Sequence, residues 1–121
     1  MKLRSTTLTA VAAFLLFVLF VPQALHAQDP SQRIEIVAKR FSFTPGEITV
    51  KKGTSVTLVL TSQDVDHSLK IKELNVNVVA KKGSSGEVTF TPTQTGTFVG
   101  RCGIFCGSGH GSMKFTLNVT E

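Results

Sequence analysis

The 121-residue sequence predicts an all-β sandwich, and three observations carry that prediction. Apolar and polar residues alternate with a period of two over segments of four to seven residues, the pattern of strands with one buried face. Turn-forming residues punctuate these segments at short intervals. Downstream of residue 27 no apolar stripe of helical period is found.

In order along the chain, the first element is not part of the sandwich. Lys2 and Arg4 are followed by a nearly pure apolar run from Leu8 to Val21, then by Pro22 and by Ala24-Leu25-His26-Ala27 ahead of polar Gln28-Asp29-Pro30. That order is the order of a secretory signal peptide, with cleavage expected after Ala27. Leu25 is less suited than alanine to its place before the cut, so an uncleaved membrane anchor is the alternative for residues 1–27. The run falls short of the roughly 18 apolar residues of a spanning helix. Residues 28–121 form the expected domain, with 28–32 as a frayed lead-in.

Ile34, Ile36 and Ala38 then share one face of a strand, opposite Glu35, Val37 and Lys39. Ile48 and Val50 alternate with polar residues before a turn at Lys51-Lys52-Gly53-Thr54. Val56, Leu58 and Leu60 mark the next strand, and Val88 with Phe90 another. Leu74 to Ala80, rich in valine, reads as a strand or an irregular crossing. Phe115, Leu117 and Val119 form the last strand. Further turns are expected at Pro45-Gly46, from Lys82 to Gly86, and at Thr95-Gly96. Phe41, Phe43, Phe90, Phe98 and Phe115 are the expected large core residues.

Composition narrows function. The chain has 13 Lys and Arg against 8 Asp and Glu. Loss of Lys2 and Arg4 with the leader would leave 11 against 8. The paired lysines Lys51-Lys52 and Lys81-Lys82 each precede a glycine, which suits solvated turns, and no aromatic interleaves them. That argues against nucleic-acid binding. No strand–GxxxxGK[ST]–helix or GxGxxG pattern occurs. Two cysteines are too few for a disulfide scaffold.

The informative stretch runs from Cys102 to Met113, a Cys-x3-Cys-x3-His-x2-Met spacing between two expected strands. Its four glycines allow a tight turn around a small centre. Thiolate, imidazole and thioether form a soft donor set that favours copper, with zinc possible. His67, in Asp64-Val65-Asp66-His67-Ser68, follows another strand and could join the loop at one pole of the sandwich. Taken alone, it would be an ordinary loop histidine.

These residues carry a resemblance. Phe41-x-Phe43-x-Pro45-x-x-Ile48-x-Val50-x-x-Gly53 looks like the opening of a cupredoxin domain. The Cys loop resembles the dinuclear copper (CuA) domain of cytochrome c oxidase subunit II and of nitrous oxide reductase. The resemblance implies a cupredoxin-like Greek-key β-sandwich with two copper ions per chain. It implies Cys102 and Cys106 as bridging thiolates, His67 and His110 as terminal imidazoles, Met113 as a weak thioether and the Ile104 backbone carbonyl as a further donor. The implied function is single-electron transfer outside the cytoplasm, in the periplasm or at the membrane surface, without catalysis by the domain itself. The implied partner is a redox protein, cytochrome c-like or an oxidase complex.

The chain departs from that family in four ways, one of them Leu69, which stands where an aromatic or larger residue can follow the first-His segment. One short apolar run stands where subunit II normally has two long helices. Ile104 stands where oxidases often have Glu. A chain with no Trp and no Tyr lacks the aromatic patch through which oxidases receive electrons. Four other readings stay open at this level: a mononuclear cupredoxin using Cys106, His110 and Met113; a copper chaperone; a zinc site; and a Cys102–Cys106 disulfide in a sandwich that only binds partners. So short a disulfide loop gains little from closure, and it leaves His110 and Met113 without a role.

Overall fold

The computed structural model describes residues 31–121, so the leader expected at 1–27 lies outside the described residues. The strands are β1 (Gln32–Lys39), β2 (Ser42–Thr44), β3 (Glu47–Lys51), β4 (Val56–Ser62), β5 (His67–Ile71), β6 (Val76–Ala80), β7 (Ser85–Phe90), β8 (Gly96–Arg101) and β9 (Lys114–Thr120). They form a four-stranded sheet in the order β2-β1-β4-β7 and a five-stranded sheet in the order β3-β9-β8-β5-β6. The pairs β1–β4 and β3–β9 are parallel and the others antiparallel. The chain changes sheet repeatedly, as from β4 to β5 and from β6 to β7. Short-range neighbours in sequence are thereby bound into one core.

The alternation read from sequence is the alternation of burial. Ile36 and Ala38 of β1 and Val56, Leu58 and Leu60 of β4 are fully buried, as is Leu117 of β9. Phe43 of one sheet and Phe115 of the other meet edge to face, ring centroids 6.1 Å apart, and so pin the layers together. Phe90 and Phe98 pack against this core while remaining partly exposed.

Four readings need adjustment. Gln32 is not frayed: its N–H donates to the Ser55 carbonyl at 2.9 Å and it opens β1. Leu74–Ala80 resolves into the end of a 3-10 turn, Lys72–Leu74, and the strand β6, with Asn75 in the left-handed region between them. Strand β4 is buried on both faces; its outer-face Val59 lies in register between Glu35 and Glu87, the two carboxylates that Arg33 bridges. Phe41 serves the Cys loop as well as the core, for the reason given below.

Turn chemistry is as expected at two places. Gly53 and Gly83 take positive φ (79° and 70°), which a residue with a side chain adopts at a cost. Among the described residues, no helix is long and apolar enough to cross a membrane.

Candidate metal centre

One pole of the sandwich is assembled from four pieces of chain. Strand β8 ends at Arg101, and Cys102 follows. The loop returns through a 3-10 turn at His110–Ser112 and hands Met113 to the start of β9. Strand β5 opens with His67. The connection from β1 to β2 contributes Arg40 and Phe41.

His67 is fully buried as the first residue of β5, not a loop histidine. Its Nε2–H donates to Asp64 Oδ1 at 2.7 Å. That bond leaves the Nδ1 lone pair facing Cys102 Sγ, 3.9 Å away. Asp64 is held in turn by N–H donors from Val65 and Arg40, both at 2.7 Å. Burial pushes the Asp64 carboxyl up, but the bonds from Arg40, His67 and Val65 outweigh it and hold the group down to about 2. The carboxylate therefore stays ionised and keeps its grip on the imidazole.

Cys102 and Cys106 are both buried free thiols. Cys102 Sγ lies 3.1 Å from the Ile104 carbonyl oxygen. Cys106 Sγ lies 3.7 Å from His110 Nδ1 and 3.9 Å from Met113 Sδ. Met113 is fully buried, and His110 is half-buried with its ring tilted against Phe105. The donor atoms of His67, Cys102 and Cys106 all lie within 4.8 Å of one another. All six residues singled out in the sequence thus come to one pole. Burial, then the neighbouring Cys102, pushes the Cys106 thiol up to about 11.

The donor set fits a soft metal on chemistry and on spacing. Two donors on one ion, each roughly 2.0–2.3 Å from it at a tetrahedral angle, stand about 3.3–3.8 Å apart. The Cys106–His110 separation of 3.7 Å falls in that range, and the Cys102–His67 separation of 3.9 Å is just above it. Thiolates, imidazoles and a thioether together are the ligands that copper accepts in both oxidation states.

Three supporting residues carry no signal by themselves in the sequence. Arg40 donates from Nε to the Cys106 carbonyl at 2.9 Å. Ser68 Oγ accepts the Gly103 N–H at 2.8 Å. The Phe41 ring fills the space a side chain would need at Gly109: a Cβ there would meet Phe41 Cδ2 at 2.4 Å. Gly107 also lies against that ring, a Cβ there meeting Phe41 Cζ at 2.9 Å, and has φ +135°. The glycines of the loop were the available signal, since a run of them marks close approach as well as tight turning.

Comparison with known proteins agrees with this geometry. The family model described as a cupredoxin-like domain matches residues 9–113. The cytochrome c oxidase subunit 2 of Thermus thermophilus is 31% identical over 100 residues, covering 82% of this chain and 74% of that one. The chain belongs to the cupredoxin-like family and is related to cytochrome c oxidase subunit 2. Among solved structures, a heme-copper terminal oxidase dimer contains a chain with a TM-score of 0.66 at 30% identity, covering 75% of this chain and 66% of that one. The periplasmic domain of subunit II of cytochrome oxidase of Bradyrhizobium japonicum has a TM-score of 0.68 at 22% identity, covering 74% and 84%, and so bears on the fold. Against other subunit 2 sequences this cupredoxin-like chain spans less: 60% of a second Thermus thermophilus sequence and 34% of that of Candida albicans.

Proposed function

We propose that this cupredoxin-like chain holds a dinuclear copper centre and passes single electrons, as a subunit II-like carrier rather than a catalyst. The observation that carries the reading is the pairing of donors. His67 Nδ1 faces Cys102 Sγ while His110 Nδ1 faces Cys106 Sγ, so each imidazole lies against a different sulfur. One mononuclear site would take a single thiolate and would leave a buried thiol unused. Two ions would use every donor present: Cys102, Cys106, His67 and His110 would hold them, with Met113 and the Ile104 carbonyl as the weaker ligands.

When bound, the copper pair supplies a one-electron couple whose charge is spread over two ions. The chain's own residues supply rigidity. Asp64 fixes the His67 ring, Arg40 ties down the Cys106 carbonyl, and Ser68 ties down Gly103. A site that moves little between oxidation states loses little to reorganisation, which is what an electron carrier needs. With those donors engaged, the centre would keep no open metal position for catalysis.

Relationship to an oxidase subunit supports an oxidase-type complex, or a cytochrome c-like protein, as redox partner. The leader-like N-terminus supports export to the periplasm, with a membrane association only where that segment is retained. The test is copper stoichiometry with an electron paramagnetic resonance spectrum of the purified chain. Two coppers and hyperfine structure from two equivalent nuclei are expected. A single-nucleus blue-site spectrum would falsify the dinuclear reading; a colourless zinc protein would overturn the copper reading altogether.

A further inference from the structure

Lys70, Arg101 and Lys114 stand side by side on three neighbouring strands of the larger sheet. Lys70 is in register with Arg101, and Arg101 with Lys114, and all three are exposed. Like charges directly opposite one another destabilise a sheet. Among the described residues, no carboxylate lies within ion-pair distance of any of the three, whereas Arg33 holds two and Lys52 and Lys81 one each. From residue 88 to residue 120 the sequence has no Asp or Glu at all.

The row borders the metal loop. Arg101 immediately precedes Cys102, Lys114 immediately follows Met113, and Gly103 runs against Lys70, whose Cβ and Cδ would lie 3.5 Å from a side chain there. A groove of about 470 Å³ beside the row is lined by Lys70, Lys72, Val99 and Arg101, with Glu73 as its acidic member, and it reaches Cys102. On the loop itself Phe105 is 79% exposed, its ring tilted against His110 with centroids 5.8 Å apart. An exposed aromatic with a charged surround is the anatomy of a small transient interface: the apolar centre gives contact, and the rim steers the encounter.

We propose that this pole is the docking surface for a redox protein whose own electron-exchange edge is acidic. Phe105 is its apolar contact, and Lys70, Arg101 and Lys114 are its steering row. The proposal rests on the reading of the centre as an electron carrier, and charge complementarity argues the partner. In the step, one electron leaves the reduced partner and reduces the oxidised centre; no bond forms or breaks and no proton moves.

The experiment uses the exported chain as purified and two probes of opposite charge: reduced cytochrome c, whose haem edge is ringed by lysines, and the same protein with those lysines succinylated. Copper content and the visible spectrum are recorded first. Stopped-flow reduction at low ionic strength should be about tenfold or more faster with the succinylated probe, the difference collapsing near 0.5 M salt. Changing Lys70, Arg101 and Lys114 together to Glu should reverse the preference, and changing them to Gln should abolish it, which keeps the test alive if the Glu variant fails to fold. Lys51→Glu, at the opposite pole, should leave both rates within about twofold. Phe105→Ala should slow both probes about tenfold without altering the salt dependence.

Equal rates for the two probes, a faster native probe, or an equal effect of Lys51→Glu would overturn the proposal. So would sedimentation of the chain with phosphatidylglycerol vesicles, abolished in the Gln variant, in the absence of any preference between probes; the row would then face a lipid surface. Calorimetric binding of the metal-free chain to the two oxidised probes separates this proposal from the copper reading. A chain that takes up no copper yet binds the succinylated probe selectively keeps the docking surface and loses the electron-carrier role.

Discussion

The donors of the metal centre are not equivalent in what they must supply. Cys102 and Cys106 are buried, lie against the imidazoles and would carry the negative charge once metal is bound, so Cys102→Ser or Cys106→Ser should abolish the spectrum expected of the proposed dinuclear centre. Met113 offers a neutral thioether, a weak donor that tunes potential. Met113→Leu should keep both coppers and shift the potential upward, because electron donation to the oxidised state is lost. Copper content and redox titration of these variants beside the parent measure the ranking. If Met113→Leu empties the site as the serine changes do, the thioether is a principal ligand. The Cys106 thiol sets a pH limit on the metal-free chain. Burial and Cys102 raise the Cys106 thiol from 9.0 to about 11. A raised pKa means the folded chain holds a proton that the unfolded chain releases. Its contribution is complete below pH 9 and is lost as the pH rises through 11. Denaturation midpoints of the metal-free chain should therefore fall over that window, and Cys106→Ala should remove part of the fall.

Elements matter through what they bring to the loop from outside it. The loop rests on Phe41, in the connection from β1 to β2, and Gly109 has no room for a methyl group beside that ring. Gly111, by contrast, has no atom within 4 Å of a would-be Cβ. Gly109→Ala should destabilise the chain by about 1–3 kcal/mol, the usual cost of overpacking, and loosen copper retention. Gly111→Ala should do neither. Urea denaturation and copper release to a chelator, run on both variants, distinguish a seated loop from one that merely needs flexible residues. Strand β5 acts in the same way. Its first residue is His67, its second holds Gly103 through Ser68, and its fourth, Lys70, flanks the groove, so one strand sets the imidazole, the loop and the charged rim.

At the scale of the whole molecule, a domain of this size has little stability to spare. Phe115 is 1% exposed and meets Phe43 across the two sheets. Phe115→Ala should cost about 3–5 kcal/mol, a large share of the roughly 5–15 kcal/mol typical of a domain. The cost should appear as a lower urea midpoint with an unchanged slope. The metal pole would weaken with it, because Phe115 lies two residues beyond Met113 on β9. Outside the described residues, chain recovered from an exporting host should begin near Gln28 by N-terminal sequencing. Met1 intact in washed membranes would indicate a retained anchor instead.

Local patterning alone marks which faces of β1, β3, β7 and β9 turn toward the core, because alternation is a local property of an extended chain; β4, buried on both faces, shows only one of them this way. It also marks the loop's candidate donors, since Cys102, Cys106, His110 and Met113 lie within twelve residues and their chemistry is readable from residue type. The tertiary structure decided what depends on distant segments meeting. Only the crossing of β4 to β5 sets His67 against Cys102, a contact spanning 35 residues, and only the β1–β2 connection delivers Arg40 to the Cys106 carbonyl 66 residues away. Phe41 illustrates the difference. Its type and period read as core, yet part of its ring seats the loop. The cationic row was equally hidden, because Lys70, Arg101 and Lys114 are unremarkable singly. They become one surface through strand register, which long-range pairing sets and no local pattern encodes.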